Sequence, residues 1–241
     1  MRSENSNRLT IATYNIHLGG MDMNYDFGIL AQDILASGAT VVGMQEVDCV
    51  TFRNKKQDTM QLLAQQLGWH AYYAPAERFE LRHYGNGLIS RYPIVAADFE
   101  ILPFTGTGYE ETRSLLHAVL DTGDLWLNVY VTHTEQGVIR RQLERIREVS
   151  RARDPYVIMG DFNWQEFGLF DDIFPGTTKA NGMHNRLRTT ADGYMFDNMI
   201  FSPSVQAENV RVLDTGHSDH SMLLADIVIG PEEPQRKGEC V

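Results

Sequence analysis

Apolar positions along the chain fall into two rhythms, and the change from one to the other outlines the elements. Residues 9–16 (LTIATYNI) form a β-rich run that predicts a first strand. Residues 25–36 place Phe27, Ile29/Leu30 and Ile34 at helical spacing, with Ser37-Gly38 as the stop. Residues 40–47 suit a buried strand, and residues 58–67, with Met60, Leu62/Leu63 and Leu67 ahead of Gly68, predict a second helix. Short strands follow around 70–74, 87–90, 94–101, 114–120 and 125–132. Residues 138–151, rich in Arg, Gln, Glu and Leu, predict a solvated helix. A short buried strand at 157–159 ends in Gly160-Asp161, and strands near 195–201 and 222–229 finish the chain. Helices interleave with buried strands early and hairpin-like strands fill the middle, which suits a layered α/β sandwich better than an all-parallel barrel.

Composition adds bounds rather than a function. With 241 residues, 43% of them hydrophobic, the chain can fill a sizeable core. No repeat or linker interrupts it, so one domain over residues 8–230 is expected, with flexible tails at 1–7 and 231–241. The formal charge is −11, from 32 acidic and 21 basic residues. Such a field repels the backbone of long nucleic acids, although a bound cation would reverse the local sign. Cys49 and Cys240 cannot build a disulfide framework. The N-terminal residues lack a signal-peptide core and no run reaches transmembrane length, so a cytoplasmic protein is expected.

The chemistry gathers where apolar runs stop. One run ends in Asn15, another in Glu46, another in His133; Val-Ile-Met-Gly runs into Asp161 and Asn163, and Ser218-Asp219-His220 precedes the last strand. A buried carboxylate without a partner is costly, so each of these needs a donor or a cation. Asn, Glu and Asp oxygens are hard ligands of the kind Mg²⁺ or Mn²⁺ takes in preference to Zn²⁺. The plainer reading of Gly-Asp-Phe-Asn is an Asx-turn that closes a strand. Spacing of two on an extended segment would put Asp161 and Asn163 on one face.

Seven stretches in order resemble the endonuclease/exonuclease/phosphatase superfamily, DNase I-like metal-dependent hydrolases. They are Thr13-Tyr14-Asn15-Ile16, Gln45-Glu46-Val47, the run from Gly85 to Ile94, Val131-Thr132-His133-Thr134, Gly160-Asp161-Phe162-Asn163-Trp164, Phe196-Asp197-Asn198-Met199-Ile200 and Ser218-Asp219-His220. The resemblance implies a four-layer α/β sandwich, two mixed sheets face to face with helices outside. It also implies Mg²⁺ (or Mn²⁺) as cofactor and in-line attack of water on phosphorus. Under it, Glu46 is the principal metal carboxylate, with Asn15 and Asp219 beside the metal. Asp161 and Asn163 hold the attacking water and the phosphorus, Asp197 fixes the His220 ring, and His133 is a second donor to the phosphate. Whether His220 acts as base or as phosphate clamp stays open.

Weaker candidates are Arg113, Asn86, His17 and Tyr130; His217 and Cys49 read as incidental, and Trp69, Trp126 and Trp164 as core or rim aromatics. Basic residues are few in the loops. Residues 78–84 carry Arg78, Arg82 and His83, while Arg140, Arg141, Arg145, Arg147, Arg151 and Arg153 spread around a helix that should pair with its own Glu144 and Glu148. The one aromatic stretch suited to lipid, residues 99–109 with Leu102, Phe104 and Tyr109, reads as an ordinary loop. The expected activity is therefore a metal-dependent phosphodiesterase or phosphatase whose partner is a small or lipid-headgroup phosphoester. Two alternatives stand beside it: a nuclease on DNA or RNA, and a non-catalytic binding protein of the same fold. Asn15, Glu46, His133, Asp161, Asn163, Asp197 and His220 are all present, which argues against the last. Oligomeric state is not legible.

Overall fold

The computed structural model describes residues 7–19, 26–52, 54–79, 82–105 and 111–230, without the side chains at 77–79 and 82–83. The expectations placed on residues 1–6 and 231–241, on part of the 78–84 cluster and on Tyr109 lie outside these described residues.

Twelve strands among the described residues form two six-stranded sheets. The first sheet holds β1 (Arg8–Asn15), β2 (Val41–Asp48), β3 (His70–Phe79), β4 (Arg82–Ser90), β11 (Val205–Leu213) and β12 (Met222–Ile229), in the order β11-β12-β1-β2-β4-β3. The second holds β5 (Ile94–Ile101), β6 (Ser114–Asp121), β7 (Trp126–His133), β8 (Tyr156–Asp161), β9 (Thr178–Lys179) and β10 (Asp197–Phe201), in the order β5-β6-β7-β8-β10-β9. Both are mixed: β1 runs parallel to β2 and antiparallel to β12, and β8 runs parallel to β7 and antiparallel to β10.

Alternation along the central strands explains the layering. One face of β1, β2 and β4 sends Ile11, Val41 and Leu88 into a core shared with Leu116, Val129, Val157 and Met199 of the other sheet, so the two sheets pack face to face. The opposite face of the first sheet packs Ala12, Val42 and Met44 against α1 (Phe27–Ser37) and α2 (Thr59–Leu67). On the outer face of the second sheet, Tyr130, Ile158 and Ile200 meet α3 (Ile139–Ser150) and α4 (Phe167–Ile173). This is the four-layer sandwich that the sequence implied. No helix among the described residues is long and apolar enough to cross a membrane.

Gly38 and Gly68 stop the first two helices as expected, and two aspartates that the sequence reading did not single out cap their starts. Asp26 accepts from Gly28 N at 2.9 Å, Asp58 accepts from Gln61 N at 3.0 Å, and Gly38 (φ 74°) and Gly68 (φ 68°) end α1 and α2 in the left-handed region. The arginines of α3 pair within the helix, Arg140 with Glu144 at 3.8 Å and Arg145 with Glu148 at 2.7 Å, and also outside it with Asp172 and Glu100. Three elements carry no strong sequence signal: α4 is seven residues long, β9 is two, and β11 is a polar edge strand. β11 gains its place from pairing with β12 and from Val205, Ala207, Val210 and Val212, which pack on the shared core. Residues 99–101 lie in β5, not in a loop.

Candidate active site

Strand register lines up three of the predicted residues across the second sheet. His133 ends β7 and stands opposite Asp161, the last residue of β8; Asp161 in turn stands opposite Asp197, the first residue of β10. The first sheet contributes Asn15 at the end of β1, opposite Gln45 of β2. Glu46 does not end its strand, as the apolar run suggested. It sits inside β2 at an irregularity in the pairing with β4 and has a φ of 57°. A bulge lets two successive residues break the alternation. Gln45 is buried and accepts from Thr13 Oγ1 at 3.1 Å, while Glu46 is turned toward the cleft. His220 arrives from just before β12, held by a bridge to Thr190.

Asn15 joins the two sheets. Its Nδ2 donates to Glu46 Oε1 at 3.1 Å and to Asp161 Oδ2 at 3.0 Å, while its Oδ1 accepts from His17 N at 3.0 Å. The resemblance implied an Asn15 oxygen beside a metal. The structure turns the nitrogen that way, because two carboxylate oxygens need a donor and the His17 amide needs an acceptor. Asp161 closes an Asx-turn as well, its Oδ1 accepting from Asn163 N at 2.8 Å. The turn and the site reading therefore coexist, one oxygen for each. Asn163 lies beyond the strand with a φ of 48°, so it does not share an extended face with Asp161. The turn instead brings its Nδ2 to 2.9 Å from His133 Nε2 and 3.0 Å from Thr134 O.

His220 is a histidine held between two carboxylates. Its Nδ1 lies 2.8 Å from Asp197 Oδ2 and its Nε2 lies 3.6 Å from Asp161 Oδ2. Burial alone would lower its pKa, but the bond and charge of Asp197, with Asp161 and Asp219, outweigh it and push the ring up to about 9. Burial, then repulsion from Asp197, push Asp161 up to about 6. Burial also raises Glu46, partly offset by Asn15 and His17.

His133 is held in the opposite sense. Arg113 Nη1 donates to His133 Nδ1 at 3.0 Å, so this ring nitrogen accepts and the ring proton belongs on Nε2, 3.5 Å from Asp161 Oδ2. With the proton there, the Asn163 amide donates to Thr134 O rather than to the ring. Burial, then the charges of Arg113 and His220, keep the His133 pKa well below the ordinary histidine value. Arg113 is buried, and its Nη2 meets Glu111 at 2.9 Å and Glu135 at 3.3 Å. Tyr84 Oη lies 3.5 Å from the same His133 Nδ1.

A cation fits this donor set. Glu46, Asp161 and Asp219 line one mouth, and Asp197 lies behind them. Asp197 Oδ1 is buried with no hydrogen-bond partner, and Glu46 and Asp161 are both raised by desolvation. Asp161, Asp197 and His220 also offer ligand atoms within 4.8 Å of one another. Because His220 Nδ1 is already bonded to Asp197, that trio reads as a proton-holding unit, and Glu46 is the carboxylate freer to meet an ion. Asp219 is exposed and pairs with His17 at 3.2 Å.

Glu46, His133, Asp161, Asn163, Asp219 and His220 line a cleft of about 830 Å³. Of the weaker candidates, Arg113 lines it and His17 reaches it through Asp219. Asn86 does not; it is buried and donates to Ser114 O at 2.8 Å, bracing one sheet on the other. Tyr130 packs in the outer core, stacked on His117 at 4.6 Å. His217 pairs with Asp33, and Cys49 is buried beside Asp58. Trp69 and Trp164 pack on cores, whereas Trp126 is 65% exposed at the end of β7 away from His133. Sequence reasoning missed Tyr84, Glu111, Glu135 and the wall from Thr190 to Phe196. Each reaches the cleft by a loop or by cross-strand pairing, which no local pattern announces.

Two mixed sheets with carboxylates and histidines gathered at one mouth suit a hydrolase of phosphoesters. The chain belongs to the endonuclease/exonuclease/phosphatase family, whose model matches residues 12–220. Solved structures share the fold at low identity. One is an endonuclease/exonuclease/phosphatase from Beutenbergia cavernae (21% identity, TM-score 0.74, covering 93% of this chain and 72% of that one). Another is the human nocturnin catalytic domain with bound sulfate anion (18%, 0.69, 92% and 93%). A third is D. rerio TDP2 complexed with single strand DNA product (16%, 0.67, 91% and 98%). No curated protein matches the sequence.

Proposed function

We propose that the protein is a Mg²⁺- or Mn²⁺-dependent hydrolase of small or lipid-like phosphoesters that attacks phosphorus with water. The observation that carries this reading is the single Asn15 amide nitrogen shared by Glu46 and Asp161, facing the Asp197–His220 pair. Glu46 would hold the ion, with Asp219 beside it, while the Asn15 amide orients the Glu46 and Asp161 carboxylates. When bound, such an ion supplies Lewis-acid polarisation of a phosphoryl oxygen.

The chain's own residues divide the remaining work. Asp161, raised to about 6, suits a base that orients water and takes its proton near neutral pH. The water oxygen bonds to phosphorus as the bond from phosphorus to the leaving oxygen breaks. His220, raised to about 9, is protonated near neutral pH, which favours a donor to phosphate oxygen over a base. His133, neutral and with its proton on Nε2, adds a second donor, with Asn163 anchored next to it on Thr134 O.

Charge supports small substrates. Glu111, Glu135, Asp192 and Asp219 line the same cleft, where a long polyanion would meet repulsion on leaving the phosphorus site. The fold shared with the TDP2–DNA complex keeps a nuclease as the second reading.

The test is hydrolysis with Mg²⁺ or Mn²⁺ of bis-p-nitrophenyl phosphate, p-nitrophenyl phosphate, sphingomyelin, inositol phosphates, plasmid DNA and RNA. Turnover of small esters that stops on chelation is expected. Metal-independent turnover would overturn the mechanism, and rapid plasmid nicking at moderate salt would favour the nuclease.

A further inference from the structure

One wall of the cleft is aromatic, and the hydrolytic chemistry does not use it. Tyr194 and Phe196 stack face to face, ring centroids 4.7 Å apart and planes within 3°. Both line the cleft, and Tyr194 is 45% exposed. An aromatic pair placed only for the core would be covered. Here Phe196 backs one face of an open tyrosine ring.

The wall is fixed relative to the phosphorus site. Thr189 N donates to Tyr194 O at 2.8 Å, and Tyr194 N donates to Thr190 Oγ1 at 2.9 Å. Ala191 N donates to Asp219 O at 2.8 Å, Ser221 N donates to Thr189 O at 2.7 Å, and Thr190 bridges His220. The residue that follows Phe196 is Asp197, whose carboxylate holds the His220 ring. The aromatic wall and the imidazole thus hang on one laced segment, so little ordering is needed when a ligand spans them.

We infer that the substrate is a phosphoester carrying one flat aromatic or heteroaromatic ring, which stacks on Tyr194 while its phosphate sits at His220. This deepens the hydrolase reading and rests on it. A cleft of about 830 Å³ suits a ligand of nucleotide or aryl-phosphate size. Stacking is tolerant of ring identity because every such ring has a π-face. Asp192, Glu111, Glu135 and Asp219, which line the same cleft, disfavour a continuing chain of phosphates.

Binding to the full-length protein with Mg²⁺ is measured by calorimetry, with phosphonates that cannot turn over. Benzylphosphonate is compared with cyclohexylmethylphosphonate, which has a ring without a flat π-face. The methylenephosphonate isostere of adenosine 5′-monophosphate is compared with that of ribose 5-phosphate. The flat-ring member of at least one pair is expected to bind roughly tenfold more tightly. The benzyl pair alone would indicate an aryl ester, and the adenosine pair a nucleotide. Tyr194→Phe should keep the preference, while Tyr194→Ala and Tyr194→Leu should bring the ratio near one; Trp126→Ala, remote from the cleft, should leave it unchanged. Equal binding within both pairs, or a preference that survives Tyr194→Leu, would overturn the inference. Because binding is read without turnover, an intact preference with no hydrolysis of any ester would count against the hydrolase reading alone.

Discussion

His220 Nδ1 stands 2.8 Å from Asp197 Oδ2, and the same ring turns its Nε2 toward Asp161 Oδ2 at 3.6 Å. One imidazole therefore links two buried carboxylates that register in neighbouring strands, β8 and β10. Asp197 orients the ring and favours its charged form, and Asp161 on the other side benefits from that charge.

Removing this link should abolish most turnover. His220→Ala is expected to lower kcat by about 10²–10⁴, with Asp197→Asn weaker but in the same direction. Steady-state kinetics on bis-p-nitrophenyl phosphate checks it; wild-type rates in His220→Ala would contradict the assigned role.

Asp161 should trade stability for function. Its folded pKa is raised from 3.8 to about 6, so its charged form is disfavoured by folding, and stability falls as pH rises through that window. Asp161→Asn in metal-free buffer at pH 7.5 should then be more stable by about 1–2 kcal/mol and yet inactive. Thermal melts at pH 4 and pH 7.5 provide the comparison, with the gap closing at pH 4. Mg²⁺ or Mn²⁺ should raise the wild-type melting temperature more at pH 7.5 than at pH 5.

Arg113 presents a fork that meets His133, Glu111 and Glu135 together. A lysine ammonium cannot reproduce that planar geometry. Arg113→Lys should therefore lose activity nearly as far as Arg113→Ala, by about tenfold or more. Full activity in the lysine variant would show that charge alone suffices.

Gly160 of β8 pairs with Thr132 of β7. A Cβ placed there would collide with Thr132 O, a backbone atom that cannot move aside. Gly160→Ala should destabilise by about 3 kcal/mol, measured by urea denaturation, and should displace the adjacent Asp161. A variant as stable as the wild type would mean that the two strands can part there without penalty.

Much of this molecule is written locally. The alternation in β1, β2, β7 and β8 and the caps at Asp26, Asp58, Gly38 and Gly68 are short-range features, so the layers and helix ends can be read from the chain. The ordered motifs around Asn15, Glu46, His133, Asp161, Asp197 and His220 likewise disclosed which residues would meet. Tertiary structure alone decided how they meet. The bulge that turns Glu46 needs β4 beside it, and the Asn15 amide chooses its orientation only when both carboxylates are present. The neutral state of His133 depends on Arg113, which lies just ahead of β6 rather than in the histidine's own strand. The stacked wall of Tyr194 and Phe196 exists because its loop is laced to the segment around His220. Periodicity reports what a residue does within its own element. Hydrogen-bond direction, protonation and the shape of a cleft depend on neighbours that are distant in sequence, and those are fixed only when the sheets close on each other.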